Sequence, residues 1–82
     1  MARVKRNKSN GYFEVSTGAT QIQIHSGAKS VGVIHSALTP DSNVLPDFVI
    51  RNGAINYSFG TIKCFLIAMS SEDIDIGYAD IS

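Results

Sequence analysis

A single cysteine in 82 residues leaves no intramolecular disulfide, and two histidines beside it make a thin inventory for a metal site. Charged residues are scarce, 17% against roughly 25% in ordinary soluble domains. Hydrophobic residues reach 44%, so the chain does not have the composition of a disordered one. Long apolar runs are missing too. The longest, Cys64 to Met69, covers six residues, far below the ~20 that span a bilayer, so no membrane segment is expected. The start, Met1-Ala2-Arg3-Val4-Lys5-Arg6, has no apolar stretch behind its basic residues, which argues against a secretory signal. The Asn7-Lys8-Ser9 and Asn56-Tyr57-Ser58 sequons therefore carry little weight.

This length allows one small domain, which buries only about 60% of the surface its unfolded chain exposes. Without disulfide or metal staples, self-association is the remaining common source of stability. Low charge with many apolar residues fits a protein that covers much of its surface with other protein.

The seven basic and seven acidic residues balance, yet they are not mixed. Arg3, Lys5, Arg6 and Lys8 stand at the start with no acid among them, and Glu72, Asp73, Asp75 and Asp80 stand at the end with no base. Residues 1–10 read as a flexible basic arm and residues 11–82 as a single β-domain. From Gly11 onward, short apolar runs are broken by Gly, Asn, Ser and Pro about every ten residues, the spacing of sandwiches and barrels.

Tyr12-Phe13-Glu14-Val15 reads as a first strand. Thr20, Ile22 and Ile24 alternate cleanly with Gln21, Gln23 and His25, which predicts a half-buried strand. Lys29 to Ser36 resumes the pattern, with Val31, Val33 and His35 on one face. Gly32 on the other suggests a bulge or a close backbone approach. Residues 37–46 form the long irregular segment, with turn chemistry at Thr39-Pro40-Asp41-Ser42 and a share of apolar residues, Leu38, Val44 and Leu45.

Asn52-Gly53 between Asp47–Arg51 and Ala54–Phe59 predicts a hairpin, because a type I′ turn needs positive φ at both central residues. Thr61 to Met69 fits a strand buried on both faces or a short helix with Ile62, Phe65, Leu66 and Met69 on one stripe; its length and flanking residues favour the strand. Ile74, Ile76 and Tyr78 alternate with Asp75, Gly77 and Ala79 in a last strand whose acids guard an edge. The expected fold is all-β: a compact antiparallel sandwich or small barrel of about seven strands, with jelly-roll or Greek-key connections.

Chemistry is harder to place. His25-Ser26 and His35-Ser36 invite a nucleophile-and-base reading, but neighbouring strand residues point to opposite faces, so neither His faces its own Ser. Only a hairpin through Ser26-Gly27 would set the two strands side by side. His25, His35 and Cys64 lack a short-spaced ligand pair, and Cys64 reads as a buried small hydrophobe. Asp73-Ile74-Asp75 resembles the start of a calcium loop, but Gly77 stands where the third ligand belongs. No catalytic, metal or cofactor site is assigned and no enzymatic activity is expected. The candidate interaction residues are the arm, Arg3, Lys5, Arg6 and Lys8, and the acidic end, Glu72, Asp73, Asp75 and Asp80.

The strands Gly18-Ala19-Thr20-Gln21-Ile22-Gln23-Ile24, Lys29-Ser30-Val31-Gly32-Val33-Ile34 and Ile74-Asp75-Ile76-Gly77-Tyr78 together resemble the small all-β accessory proteins of tailed-bacteriophage particles, such as head decoration proteins. That resemblance spans residues 11–82. It implies a non-enzymatic virion component, made in the host cytoplasm and bound in many copies to a capsid or tail surface, as a homo-oligomer and most readily a trimer. The alternative is a small nucleic-acid-binding β-barrel whose basic arm contacts phosphates in a salt-sensitive way.

Overall fold

The computed structural model describes residues 1–25, 29–51, 53–57 and 62–82. Along the chain come β1 (Ala2–Arg6), a 3-10 turn (Lys8–Asn10), β2 (Phe13–Ser16), β3 (Thr20–Ile24), β4 (Ser30–His35), β5 (Phe48–Arg51), β6 (Gly53–Tyr57), β7 (Cys64–Ala68) and β8 (Ile74–Asp80). One four-stranded sheet has the order β1-β8-β3-β6 and the other β2-β7-β4-β5.

The pairing follows a simple rule. β1 pairs with β8, β2 with β7, β3 with β6 and β4 with β5, always antiparallel. The chain is one antiparallel ribbon, the first four strands against the last four, rolled so that successive rungs fall in alternate sheets. The further pairs β3–β8 and β4–β7 knit each sheet together. This is the jelly-roll path, laid out as an open two-sheet sandwich rather than a closed barrel.

The core lies between the sheets because the alternation seen in the sequence turns one side of every strand inward. Ile22, Ile74 and Ile76 from the first sheet meet Val31, Val33 and Leu66 from the second, all fully buried. Burying each such side chain stabilises the fold by about 1.5–3 kcal/mol. Cys64 sits among them as a small apolar residue, its thiol pKa pushed up by burial. The buried hydroxyls of Ser16 and Thr20 satisfy each other, and Ser16 Oγ also donates to the Gly18 carbonyl.

Three expectations need correction. Residues 2–6 are not a free arm: they form edge strand β1, with Val4 opposite Ile76 and packed on the core. One inward apolar residue suffices for an edge strand, so the segment shows no apolar period, and β1 is the strand that raises the expected seven to eight. The Asn52-Gly53 hairpin does not form, since β5 lies in the second sheet beside β4 and β6 in the first beside β3. Asn52 itself lies outside the described residues, while Gly53 keeps the positive φ of 85°. The chain changes sheets here, and inward-facing Phe48 and Tyr57 meet edge to face across the sandwich at 4.5 Å. Finally, β3 and β4 also lie in different sheets, so His25 and His35 are not strand neighbours; the Ser26-Gly27 turn that would have joined them lies outside the described residues.

The strand reading of β7 holds, with five consecutive buried residues from Cys64 to Ala68. Its inner side chains enter the main core, and its outer ones, Phe65 and Ile67, join Tyr12 and Ile34 in a second cluster. Among the described residues no helix is long and apolar enough to cross a membrane.

Candidate functional site

The two charged ends of the sequence meet in one sheet. Arg3 donates to Asp75 through Nε at 3.2 Å and Nη2 at 2.6 Å. Lys5 stands opposite Asp75 in the strand register, and the Asp75 carboxyl is held below its ordinary range, foremost by the Arg3 hydrogen bond and charge and then by the nearby His25 and Lys5. Arg6 turns toward the sandwich rim and lies over the Phe13 ring, 4.7 Å from its centroid. Lys8 is fixed by its backbone, whose N–H donates to the Ser70 carbonyl at 2.7 Å.

The acidic residues are likewise engaged within the chain. Glu72 pairs with Lys29 at 3.3 Å, and Asp73 accepts from Asn7 Nδ2 at 2.8 Å. Asp80 accepts from the N–H groups of Ser82 at 3.0 Å and Thr17 at 3.3 Å, which lower its pKa. Arm and acidic end are therefore brought together, as two neighbouring strands and the turns beside them. The charge separation evident in the sequence closes on itself at Arg3, Lys5 and Asp75, while Glu72 and Asp80 find partners elsewhere in the chain.

The opposite side of the molecule carries an apolar cluster. The outer face of the second sheet carries the cluster of Tyr12, Ile34, Phe65 and Ile67, and the loop of residues 36–47 returns over this face as a roof through contacts of Val44, Pro46 and Asp47. Tyr12 Oη donates to the Val44 carbonyl at 2.7 Å, the Asp47 N–H donates to the Val33 carbonyl at 2.8 Å, and Asp47 Oδ2 accepts from the His35 N–H at 3.1 Å. Gly32 lets the roof down: a Cβ there would lie 2.9 Å from Pro46 Cβ and 2.9 Å from Ile67 Cγ2. The close approach expected at Gly32 is to this loop. The hydrogen-bonded turn falls two residues later than Thr39-Pro40-Asp41-Ser42 suggested, with the Val44 N–H donating to the Asp41 carbonyl at 3.0 Å.

Although the roof covers an apolar cluster, its own leucines face solvent. Leu38 is 79% exposed and Leu45 84%. The sequence showed that this loop was apolar but not which side its leucines would take. Beneath it, a cleft of about 340 Å³ opens between Lys8, Tyr12, Leu45, Ile67 and Met69. Beyond Met69 lies a wider one of about 780 Å³, floored by Val49 and Met69 and rimmed by Lys29, Arg51, Ser70 and Ser71. No sequence motif marked this second cleft, because its residues come from three separated segments.

The histidines occupy unrelated places. His35 packs against Tyr57 at 4.9 Å, and burial lowers its pKa against an opposing pull from Asp47. His25 reaches over Gly77 on the outer face of the first sheet, its Nε2 3.0 Å from where a glycine Cβ would stand. Among the described residues no three of His, Cys, Asp and Glu come together as a metal-holding group. Compared with protein-family models, curated proteins and solved structures, the chain finds no match.

Proposed function

We propose that the chain is a structural interaction protein: a virion accessory component, bound in many copies as a homo-oligomer to the capsid or another surface of a bacteriophage particle. The observation that carries the reading is the roof loop, which holds Leu38 and Leu45 out in water on a rigid sandwich. Exposed apolar groups on an anchored loop favour contact with another protein over solvent, and the hydrogen bonds from Tyr12 and to Val33 remove much of the ordering cost of that contact. Jelly rolls are used by capsid, lectin and cupin domains alike, so the topology accommodates the assignment without selecting it.

A nucleic-acid role has less to draw on. It needs an uncompensated cationic surface, and β1 sets Arg3 and Lys5 beside Asp75 on the same sheet. Retention of the chain on duplex or single-stranded DNA at low salt, lost at physiological salt, would reinstate it.

Light scattering coupled to size-exclusion chromatography tests the oligomer, with a trimer expected. A monomer at micromolar concentration that also fails to bind intact particles would overturn the proposal.

A further inference from the structure

The wider cleft has a chemistry that the assembly role leaves unused. It lies on the outer face of the second sheet, beyond the end of the roof. Arg51 of β5 is directly opposite Ser30 of β4 in the register, and Ser30 in turn accepts a hydrogen bond at its carbonyl from the Met69 N–H. Lys29, just before β4, and the turn bearing Ser70 and Ser71, just after β7, complete the lining. Two cations and three hydroxyls thus surround a floor of Val49 and Met69, which are 44% and 40% exposed.

We propose that this cleft binds a phosphomonoester, with the phosphoryl group between Lys29 and Arg51 and an apolar part of the ligand on Val49 and Met69. The guanidinium offers parallel donors that match two oxygens of one oxyanion, and hydroxyls from separate elements suit a tetrahedral group better than a planar carboxylate. An internal carboxylate already pairs with one of the two cations. Glu72 reaches Lys29 at 3.3 Å while its own side chain remains 82% exposed. It is a loosely held stand-in that an incoming anion can displace, and exposed pairs of this kind are weak. The Ser70 hydroxyl accepts from the Glu72 N–H at 3.1 Å, which leaves its proton available to donate outward. This site is independent of the particle-binding role and of the roof leucines.

The test is a titration of the full-length chain with inorganic phosphate, followed by amide chemical shifts at constant ionic strength set with chloride. Saturable shifts are expected at Ser30, Arg51, Ser70 and Ser71. Arg51→Gln should weaken binding at least about fivefold, the order expected for one charge-assisted hydrogen bond at a partly exposed site. Glu72→Gln should do the opposite and tighten it about two- to threefold by releasing Lys29. Opposite responses cannot both come from a damaged fold. A second arm uses phosphatidylcholine vesicles with and without phosphatidic acid: binding to phosphate in solution identifies a soluble ligand, and binding confined to the phosphatidic acid vesicles identifies a lipid headgroup. Shifts that never saturate in either arm, or that Arg51→Gln and Glu72→Gln leave unchanged, would overturn the proposal.

Discussion

Arg3 and Asp75 meet through two parallel contacts across 72 positions of sequence, and so fasten the start of the chain to its last strand. The pair lies at the surface and joins edge strand β1 to β8, which sits between β1 and β3 and not at the edge its acids suggested, so it governs how firmly β1 is seated more than how stable the core is. Arg3→Ala should raise hydrogen exchange at the amides of β1 while leaving that of β7 unchanged, and the difference should shrink in high salt. Because Arg3 depresses the Asp75 pKa from its ordinary 3.8, the stabilisation is complete above that value and is lost as pH falls through the lower folded value. Denaturant midpoints of the native chain and Arg3→Ala should therefore converge in acid.

His35 gives a second pH dependence, at milder pH. Burial lowers its pKa from the ordinary 6.5, so the unfolded chain binds that proton more readily than the folded one. Stability is then full above pH 6.5 and declines below it. Urea midpoints measured from about pH 7.5 to 5 should fall in the native chain and stay flatter in His35→Leu.

At Gly32 the sequence permits an approach that no side chain would. A Cβ there would collide with Pro46 and Ile67 at 2.9 Å, so Gly32→Ala should lift the roof rather than unfold the sandwich. Overpacking of this kind costs about 1–3 kcal/mol. The expected readout is faster proteolysis within residues 36–47 and loss of the Tyr12 hydroxyl contact to Val44, with far-UV circular dichroism unchanged.

How these features arise from the sequence differs from one to the next. Period-two alternation exposed β3 and β8, because Ile22, Ile24, Ile74 and Ile76 all face one core. The run in β7 was readable as a strand buried on both faces, since a roofed outer face demands apolar residues as much as the inner one does. β1 was not legible: an edge strand facing water on its outer side needs only Val4 inside. Asn52-Gly53 misled for another reason. Phe48 and Ile50 pack inward from one sheet, Ile55 and Tyr57 from the other, and long-range burial outweighs a local turn preference. The sequence showed the two charged ends but not that Arg3 and Lys5 would face Asp75, which only the β1–β8 pairing reveals.

Self-association has a natural route at β6. Of the four edge strands, β1 carries Arg3, Lys5 and Arg6, β2 carries Glu14 and a register shift, and β5 ends in Arg51, while β6, Gly53–Tyr57, has no charge at all. Uncharged edges invite strand pairing between copies. Placing a charge there with Asn56→Lys should lower the weight-average mass in sedimentation velocity without changing Tm. A mass unaffected by the substitution would exclude β6 as the contact of the proposed oligomer.

The central claim is that the roof loop seats this chain on a larger assembly, and electron cryomicroscopy of the native particle tests it most directly. The account predicts symmetric repeated density for the sandwich, with Leu38 and Leu45 buried against the shell, and loss of that density in particles assembled with Leu38→Ser and Leu45→Ser. Density that places these leucines in solvent, or a native particle with no copy of the chain, would contradict it.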